Sequence, residues 1–142
     1  LLRPRWVTVA APGVVGRMGA PATPAELARH NCVRFMGPGG KPAPWWFAGD
    51  DGEPVAFAPD GNFLVDSGDV LLDAAIAGVG VAQVLDFMAA GALRDGRLVE
   101  LLSRHGCAGP PIHAVTTPER GRAGAVRAVI DFLAARFAAP AA

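Results

Sequence analysis

Tyrosine is absent from this sequence, cysteine occurs only twice, and neither sign of charge prevails. The missing phenol removes one familiar proton donor from any catalytic scheme. Cys32 and Cys107 stand far apart, with no CxxC pair or Cys/His cluster beside them. That argues against a zinc site and leaves two reduced, partly buried thiols, as expected of a cytoplasmic protein, with a redox-sensing disulfide as the alternative. Thirteen basic and thirteen acidic residues cancel, so the chain carries no electrostatic footprint for DNA, RNA or an anionic membrane. Long hydrophobic runs are missing too. The longest, around residues 74–84, is broken by Gly78, Gly80 and Gln83 and is too short to span a bilayer. The start, Leu1-Leu2-Arg3-Pro4, shows neither a signal-peptide pattern nor an initiator Met, which points to a fragment or a processed piece.

Chemistry-bearing side chains are equally sparse. His30 falls at the end of a predicted helix, His105 in a loop and His113 in a predicted strand, and no two of them have metal-ligand spacing. Ser67 and Ser103 are the only serines, and neither sits in a G-x-S-x-G elbow. "GDDGEP" (49–54) gathers carboxylates but reads first as a turn. "GPGGKP" (37–42) is no phosphate loop, because no helix follows Lys41 and Pro42 has no amide hydrogen. "GVGVAQ" (78–83) closes a helix rather than opening one, so it is not a dinucleotide fingerprint. Trp45 and Trp46 are adjacent on a predicted strand, so at most one could stack on a ligand, and core packing is the expected role. With no nucleophile–base pair, metal-ligand set or cofactor motif, the sequence gives no reason to expect an enzyme.

What is present is a chain of 142 residues, 51% of them hydrophobic, enough for one domain with a real core. "WVTVAA" (6–11) reads as a strand ended by Pro12-Gly13, followed by a glycine-bearing loop. "TPAELARH" (23–30) reads as a short helix with Thr23 as N-cap, Pro24 at its first position and Glu26 three residues on. "CVRF" (32–35) is a strand, and 37–44 a Gly/Pro loop. "WWFA", "VAFA" and "FLVD", separated by Asp-Gly turns, suggest an antiparallel meander or hairpin. From 66 to 80 the pattern becomes helical, capped by Asp66 or Ser67, apolar on nearly all sides and stopped at Gly78 or Gly80. "VAQVL" (81–85) is a short buried strand, a second helix starts at Asp86, and "GRLVELL" (96–102) and "IHAVTT" (112–117) are strands. A helix over 122–138 carries Val126, Val129, Ile130, Leu133 and Phe137 on one face. The order describes a mixed α/β protein.

Taken in order, "WVTVAAPGVVGRMGAPATPAELARHNCVRF", "DGEPVAFAPDGNFLVDSGDVLLDAAIAGVGVAQVLDFMAAGALRDGRLVELL" and "PPIHAVTTPER" with "VRAVIDFLAARF" resemble the effector-binding domain of LysR-type transcriptional regulators over nearly the whole chain. One departure is Leu85, where the family usually has proline in an "LPDF" turn. The resemblance implies a type 2 periplasmic-binding-protein-like α/β fold, in which two subdomains flank a cleft and two strands cross between them. On that basis residues 1–12 hold the crossover from the first subdomain, with the strand at 6–11. Residues 13–110 form the second subdomain, and 111–142 hold the return strand (112–116) and a C-terminal helix. The family's winged helix-turn-helix is not in these residues, so DNA would be a partner only through a missing N-terminal domain.

In α/β sheets, ligands sit beyond the carboxyl ends of strands, where helix beginnings point. "FLVD" runs into a helix at Ser67 and "VAQVL" into one at Asp86, so both helix starts should face one crevice. Free amides over 67–70, Gly68 included, could then hold a carboxylate or other anion, although Asp66 and Asp69 would repel it unless a base answers them. The plainer alternative is that Ser67 only caps its own helix. Expected ligand contacts are Ala11, Phe35, Asp66, Ser67, Gly68, Leu85 and Asp86, and the expected ligand is a small organic effector, anions included. The leading function is therefore effector sensing in a bacterial LysR-type regulator. The alternatives are a solute-binding module with no DNA partner and a small α/β enzyme. A homodimer or higher oligomer is expected through the apolar face of the last helix or the strand edges at 6–11 and 112–116.

Overall fold

Along the chain run β1 (Trp6–Ala10), α1 (Pro12–Met18), β2 (Val33–Phe35), β3 (Trp45–Ala48), β4 (Pro54–Phe57), β5 (Phe63–Val65), α2 (Gly68–Ile76), β6 (Ala82–Leu85), α3 (Asp86–Arg94), β7 (Val99–Leu101), α4 (Pro118–Gly121) and α5 (Gly124–Ala138). Tight 3-10 turns occupy Pro24–Arg29 and Ser103–His105. The structure is a computed structural model that describes residues 1–121 and 123–138. It divides into two units, Arg5–Ala108, and Leu1–Pro4 with Gly109–Ala142.

In the larger unit β1 lies between β6 and β7 and is antiparallel to both, with Val7 opposite Val84, Val9 opposite Ala82 and Thr8 opposite Leu101. β2 pairs in parallel with β5. A single parallel bridge, Cys32 to Val81, stitches the two ladders together: the Val33 amide donates to the Val81 carbonyl at 2.7 Å, and the Val81 amide to the Asn31 carbonyl at 2.9 Å. The resulting strand order is β5-β2-β6-β1-β7, and every strand but β1 points the same way. Both faces are covered, which is why β1 is apolar at nearly every position rather than alternating. On one face Val7, Val9, Val33 and Val84 pack with Leu71 and Ala75 of α2 and Ala89 of α3. On the other, Ala10, Cys32, Val81 and Leu101 pack with Val14, Leu27, Trp45 and Phe47. Each fully buried Val or Leu contributes about 1.5–3 kcal/mol.

Several expectations need correction. The stretch after Pro12-Gly13 is helix α1, not a loop, because Pro12 takes the first helical position, where its missing amide costs nothing. Residues 24–29 form a 3-10 turn, not an α-helix. Thr23 makes no side-chain cap, and the Glu26 carboxylate reaches past it to accept from the Ala22 amide at 3.0 Å. Of the expected meander or hairpin, the two-stranded hairpin is what forms. β3 and β4 form an antiparallel hairpin, whereas β5 pairs with β2, drawn there by contacts of the preceding turn: the Cys32 amide donates to the Asp60 carbonyl (3.1 Å) and the Asn62 amide to Asn31 Oδ1 (3.0 Å). Strand β7 is three residues long, and Leu102 takes a left-handed φ of 53° that ends it.

The two compact units divide between residues 4 and 5 and between 108 and 109, close to the expected second bound at 110 and 111, and β1 is a central strand of the larger unit. Residues 6–10 are therefore not a free strand edge. In the smaller unit the two chain passes meet through an antiparallel bridge between Leu2 and Ile112 and a bond from the Gly109 amide to the Pro4 carbonyl at 2.9 Å. Beyond Ile112 no strand forms at 113–117, and Val115 is 92% exposed. The last helix is split: α4 ends at Gly121 and α5 starts at Gly124, while Arg122 lies outside the described residues. On α5, Val126, Ile130 and Leu133 are half-buried and Val129 and Phe137 exposed. Phe132, off the expected face, is the most exposed at 68%.

Candidate functional site

Strands β2 and β6 are bonded at Val33 and Val81 but not beyond, and they separate toward their carboxyl ends. Each is held by its other neighbour. The Met36 amide donates to the Val65 carbonyl of β5 at 2.6 Å, and the Asp86 amide to the Arg5 carbonyl next to β1 at 3.0 Å. A gap therefore opens between Phe35 and Leu85, the place where an α/β sheet presents ligand to helix starts.

Both expected helices begin at this gap. α2 follows β5: Ser67 is its N-cap, with Oγ accepting from the Val70 amide at a long 3.5 Å. α3 follows β6: Leu85 is its N-cap without a side-chain bond, and Asp86 Oδ1 accepts from the Phe87 amide at 2.8 Å. The two starts touch. A Cβ added to Gly68 would lie 2.9 Å from Met88 Cε, so the tip of the Met88 side chain rests on the bare Cα at 68.

Between them lies a hollow of roughly 150 Å³, lined by Trp6, Phe35, Ala43, Pro44, Trp45, Gly68, Leu71, Gln83, Val84, Leu85 and Met88. The β3–β4 hairpin forms one wall. Gln83, buried on β6, clasps it: the Trp46 amide donates to Oε1 at 2.8 Å and Nε2 donates to the Trp46 carbonyl at 2.9 Å. Gln83 thus serves the outer edge of β3 as a neighbouring strand would, and sets Trp45 over the opening.

Of the expected contacts, Phe35, Gly68 and Leu85 line the hollow. Ser67 and Asp86 stand beside it, each next in sequence to a lining residue, and Asp66 lies one residue further out. Ala11 is not brought to the hollow. It caps α1 at the opposite end of β1, and a Cβ on Gly78 would lie 4.0 Å from its own Cβ. Trp6, Leu71, Gln83, Val84 and Met88 were not foreseen, and Trp45, expected in the core, is both core and wall. The one available signal was a glutamine inside an otherwise apolar strand, since a buried amide needs specific partners.

Charged groups stay at the rim. Glu100 holds Arg5 through both oxygens (2.7 and 3.0 Å), and Asp86 lies 4.0 Å from Arg5 Nε. The hydrogen bond that Arg5 donates to Glu100 is the main influence holding this guanidinium in its charged form. His30 serves structure: its ring nitrogens face the carbonyls of Glu26 (3.2 Å) and Gly19 (3.0 Å). Both cysteines are free and buried. Among the described residues no group of three or more His, Cys, Asp or Glu side chains could hold a metal ion, and no helix is long and apolar enough to cross a membrane.

Known proteins share this architecture. The family model described as the LysR substrate binding domain matches residues 1–138. The HTH-type transcriptional regulator CrgA of Neisseria meningitidis serogroup C (strain 8013) is 28% identical over 130 residues, which is 91% of this chain and 42% of that protein. The chain thus spans less than half the length of this relative. The solved CrgA regulatory domain from Neisseria meningitidis superposes with a TM-score of 0.79 at 26% identity, over 96% of this chain and 66% of that one. The effector domain of AmpR from Pseudomonas aeruginosa shares the fold, with a TM-score of 0.74 at 22% identity over 97% of this chain and 64% of that one.

Proposed function

We propose a function from one premise: the chain belongs to the LysR substrate binding domain family. It is the effector-sensing part of a bacterial transcription regulator, and the hollow between the starts of α2 and α3 is where a small organic effector binds. The observation that carries this reading is the convergence of two strand-to-helix turns, at Ser67 and at Asp86, on one apolar hollow at the point where β2 and β6 part. Main-chain geometry and apolar contact would do the recognising, which is why the chain needs so few reactive groups.

A ligand shifts the regulator only by its difference in affinity between two arrangements. DNA contact belongs to the N-terminal part of the longer protein, because the net charge of these residues is zero. The free thiols fit a cytoplasmic setting, and assembly as a homodimer or larger oligomer fits the apolar surface of α5. A solute-binding module and an enzyme are both less favoured, because the relatives matched are regulators.

A thermal-shift screen of small organic compounds tests the reading. Ligands that raise the melting temperature of the wild type should lose that effect in Leu85→Arg, which fills the hollow with a charge, and should alter operator binding by the full-length regulator. Ligands that stabilise wild type and Leu85→Arg alike would place the site elsewhere.

A further inference from the structure

The wall of the hollow carries information about its ligand. Trp6, Phe35 and Trp45 present aromatic rings, Met88 a thioether, and Leu71 and Leu85 aliphatic groups, and no lining residue is charged. Three lining side chains carry polar atoms: Gln83, whose amide oxygen and nitrogen bond the Trp46 backbone, and Trp6 and Trp45, whose indole N–H groups are neutral donors. The helix starts are partly occupied from within as well. Ser67 Oγ takes the Val70 amide, Asp86 Oδ1 takes the Phe87 amide, and Asp69 adds a carboxylate to the first turn of α2. Arg5, beside Trp6 in sequence, is already held by Glu100 and lies close to Asp86. Arg34 precedes Phe35 on β2 and is not among the residues that line the hollow; its Nε is buried without a hydrogen-bond partner. A carboxylate moving inward would shed its water and find no cation on the wall, only the neutral indole N–H donors of Trp6 and Trp45.

Size narrows the choice further. At roughly 150 Å³ the hollow has the volume of an engineered apolar protein cavity that takes up one benzene molecule. Aromatic walls favour edge-to-face or offset contact with a ring, and the Met88 sulfur adds a favourable partner at a ring edge. Resting on the reading of this hollow as the effector site, we propose that the part of the effector that enters it is a single uncharged aromatic ring and not an organic anion. This departs from the anion that the helix starts alone would suggest. It assigns the helix amides to holding α2 and α3 in place and the wall to recognition.

The test is a pair of titrations on the 142-residue chain, followed by backbone and indole N–H resonances: toluene as the uncharged ring, and benzoate as the same ring with a carboxylate. Toluene should shift the indole signals of Trp6 and Trp45 and the amides of Leu85 and Met88, with benzoate at least about tenfold weaker at the same signals. Leu85→Asn should weaken toluene severalfold, and the mapping on the wild type stands whether or not that variant folds. Benzoate binding as tightly as toluene, or tighter, at these signals would overturn the proposed ligand class while leaving the hollow as a sensor site. Silence of these signals toward toluene, benzoate and every compound that raises the melting temperature would overturn the sensor reading itself.

Discussion

Cys32 holds its thiol in the core beneath the β3–β4 hairpin, at the one point where β2 and β6 are bonded. Burial pushes its pKa up to about 12 from an ordinary value near 9, and the Asp60 carboxylate adds to the shift. At pH 8 only about one molecule in 10⁴ then carries the thiolate. Cys32 should therefore resist a disulfide reagent for as long as the protein stays folded, and react at once in denaturant; reaction at a peptide-like rate in the native state would refute the assignment. The linkage has a definite sign. The folded state keeps the proton that the unfolded state loses, so the contribution is complete below pH 9 and declines toward pH 12, by at most about 1.4 kcal/mol per pH unit. Unfolding titrations of wild type and Cys32→Ala should diverge over that window and run parallel below it. Gln83 makes the companion case. Replacing it with Leu keeps the bulk but leaves the Trp46 amide and carbonyl without their partners, so stability should fall by about 1–3 kcal/mol in urea denaturation. Faster hydrogen exchange confined to β3 and β4 should accompany the loss, and an unchanged urea midpoint would show that Gln83 does not hold the hairpin.

Glycines separate packing from propensity in the elements. A Cβ on Gly80, just before β6, would overlap the Asn31 carbonyl, so the β2–β6 junction closes only over a bare Cα. Gly80→Ala should cost about 1–3 kcal/mol or more, since backbone cannot yield as a side-chain tip can. Gly91, inside α3, meets nothing within 4 Å, and Gly91→Ala should stabilise by about 0.5–1 kcal/mol. Urea midpoints moving in opposite directions would confirm the distinction, and equal losses would show that α3 also needs a bare position. These glycines also mark what could be read from the sequence. The stop of α2 at Gly78, with φ of 78°, was legible, as were the cap at Ser67 and the start of α3 at Asp86, because each rests on a few neighbouring residues. The partner of β5 was not, because pairing with β2 is settled by contacts some thirty residues apart in sequence. α1 was missed because proline followed by glycine suits a chain break as well as a first turn. At the hollow, the two helix starts and the lining positions of Phe35, Gly68 and Leu85 follow from local pattern, but the Trp6 and Met88 walls depend on how the elements stack.

At the scale of the whole molecule, the buried core of the described residues lies in the larger unit, and the smaller unit leaves apolar side chains exposed. In α5, Val129 is 58% exposed, Phe132 68% and Phe137 42%. Val129 and Phe132 are three residues apart, so they adjoin on the helix surface. A pair that size left in water favours association with any apolar surface, and in a solution of this chain alone that surface is a second copy. The other edges first expected to pair are no longer candidates, since β1 is flanked on both sides and 113–117 forms no strand. Sedimentation equilibrium should show a concentration-dependent dimer or larger species for the wild type, shifted toward monomer in Val129→Asp/Phe132→Asp. Both side chains are exposed, so the double variant should keep its melting temperature to within a few degrees once association is diluted away. A wild type that stays monomeric at high concentration would remove α5 as an assembly surface, and a double variant that still associates would move that surface elsewhere on the chain. Neither result bears on the hollow between α2 and α3, whose residues all lie within Arg5–Ala108. Assembly and ligand uptake can therefore be tested independently, and ligand affinity that changes with protein concentration would be the first sign that the two are coupled.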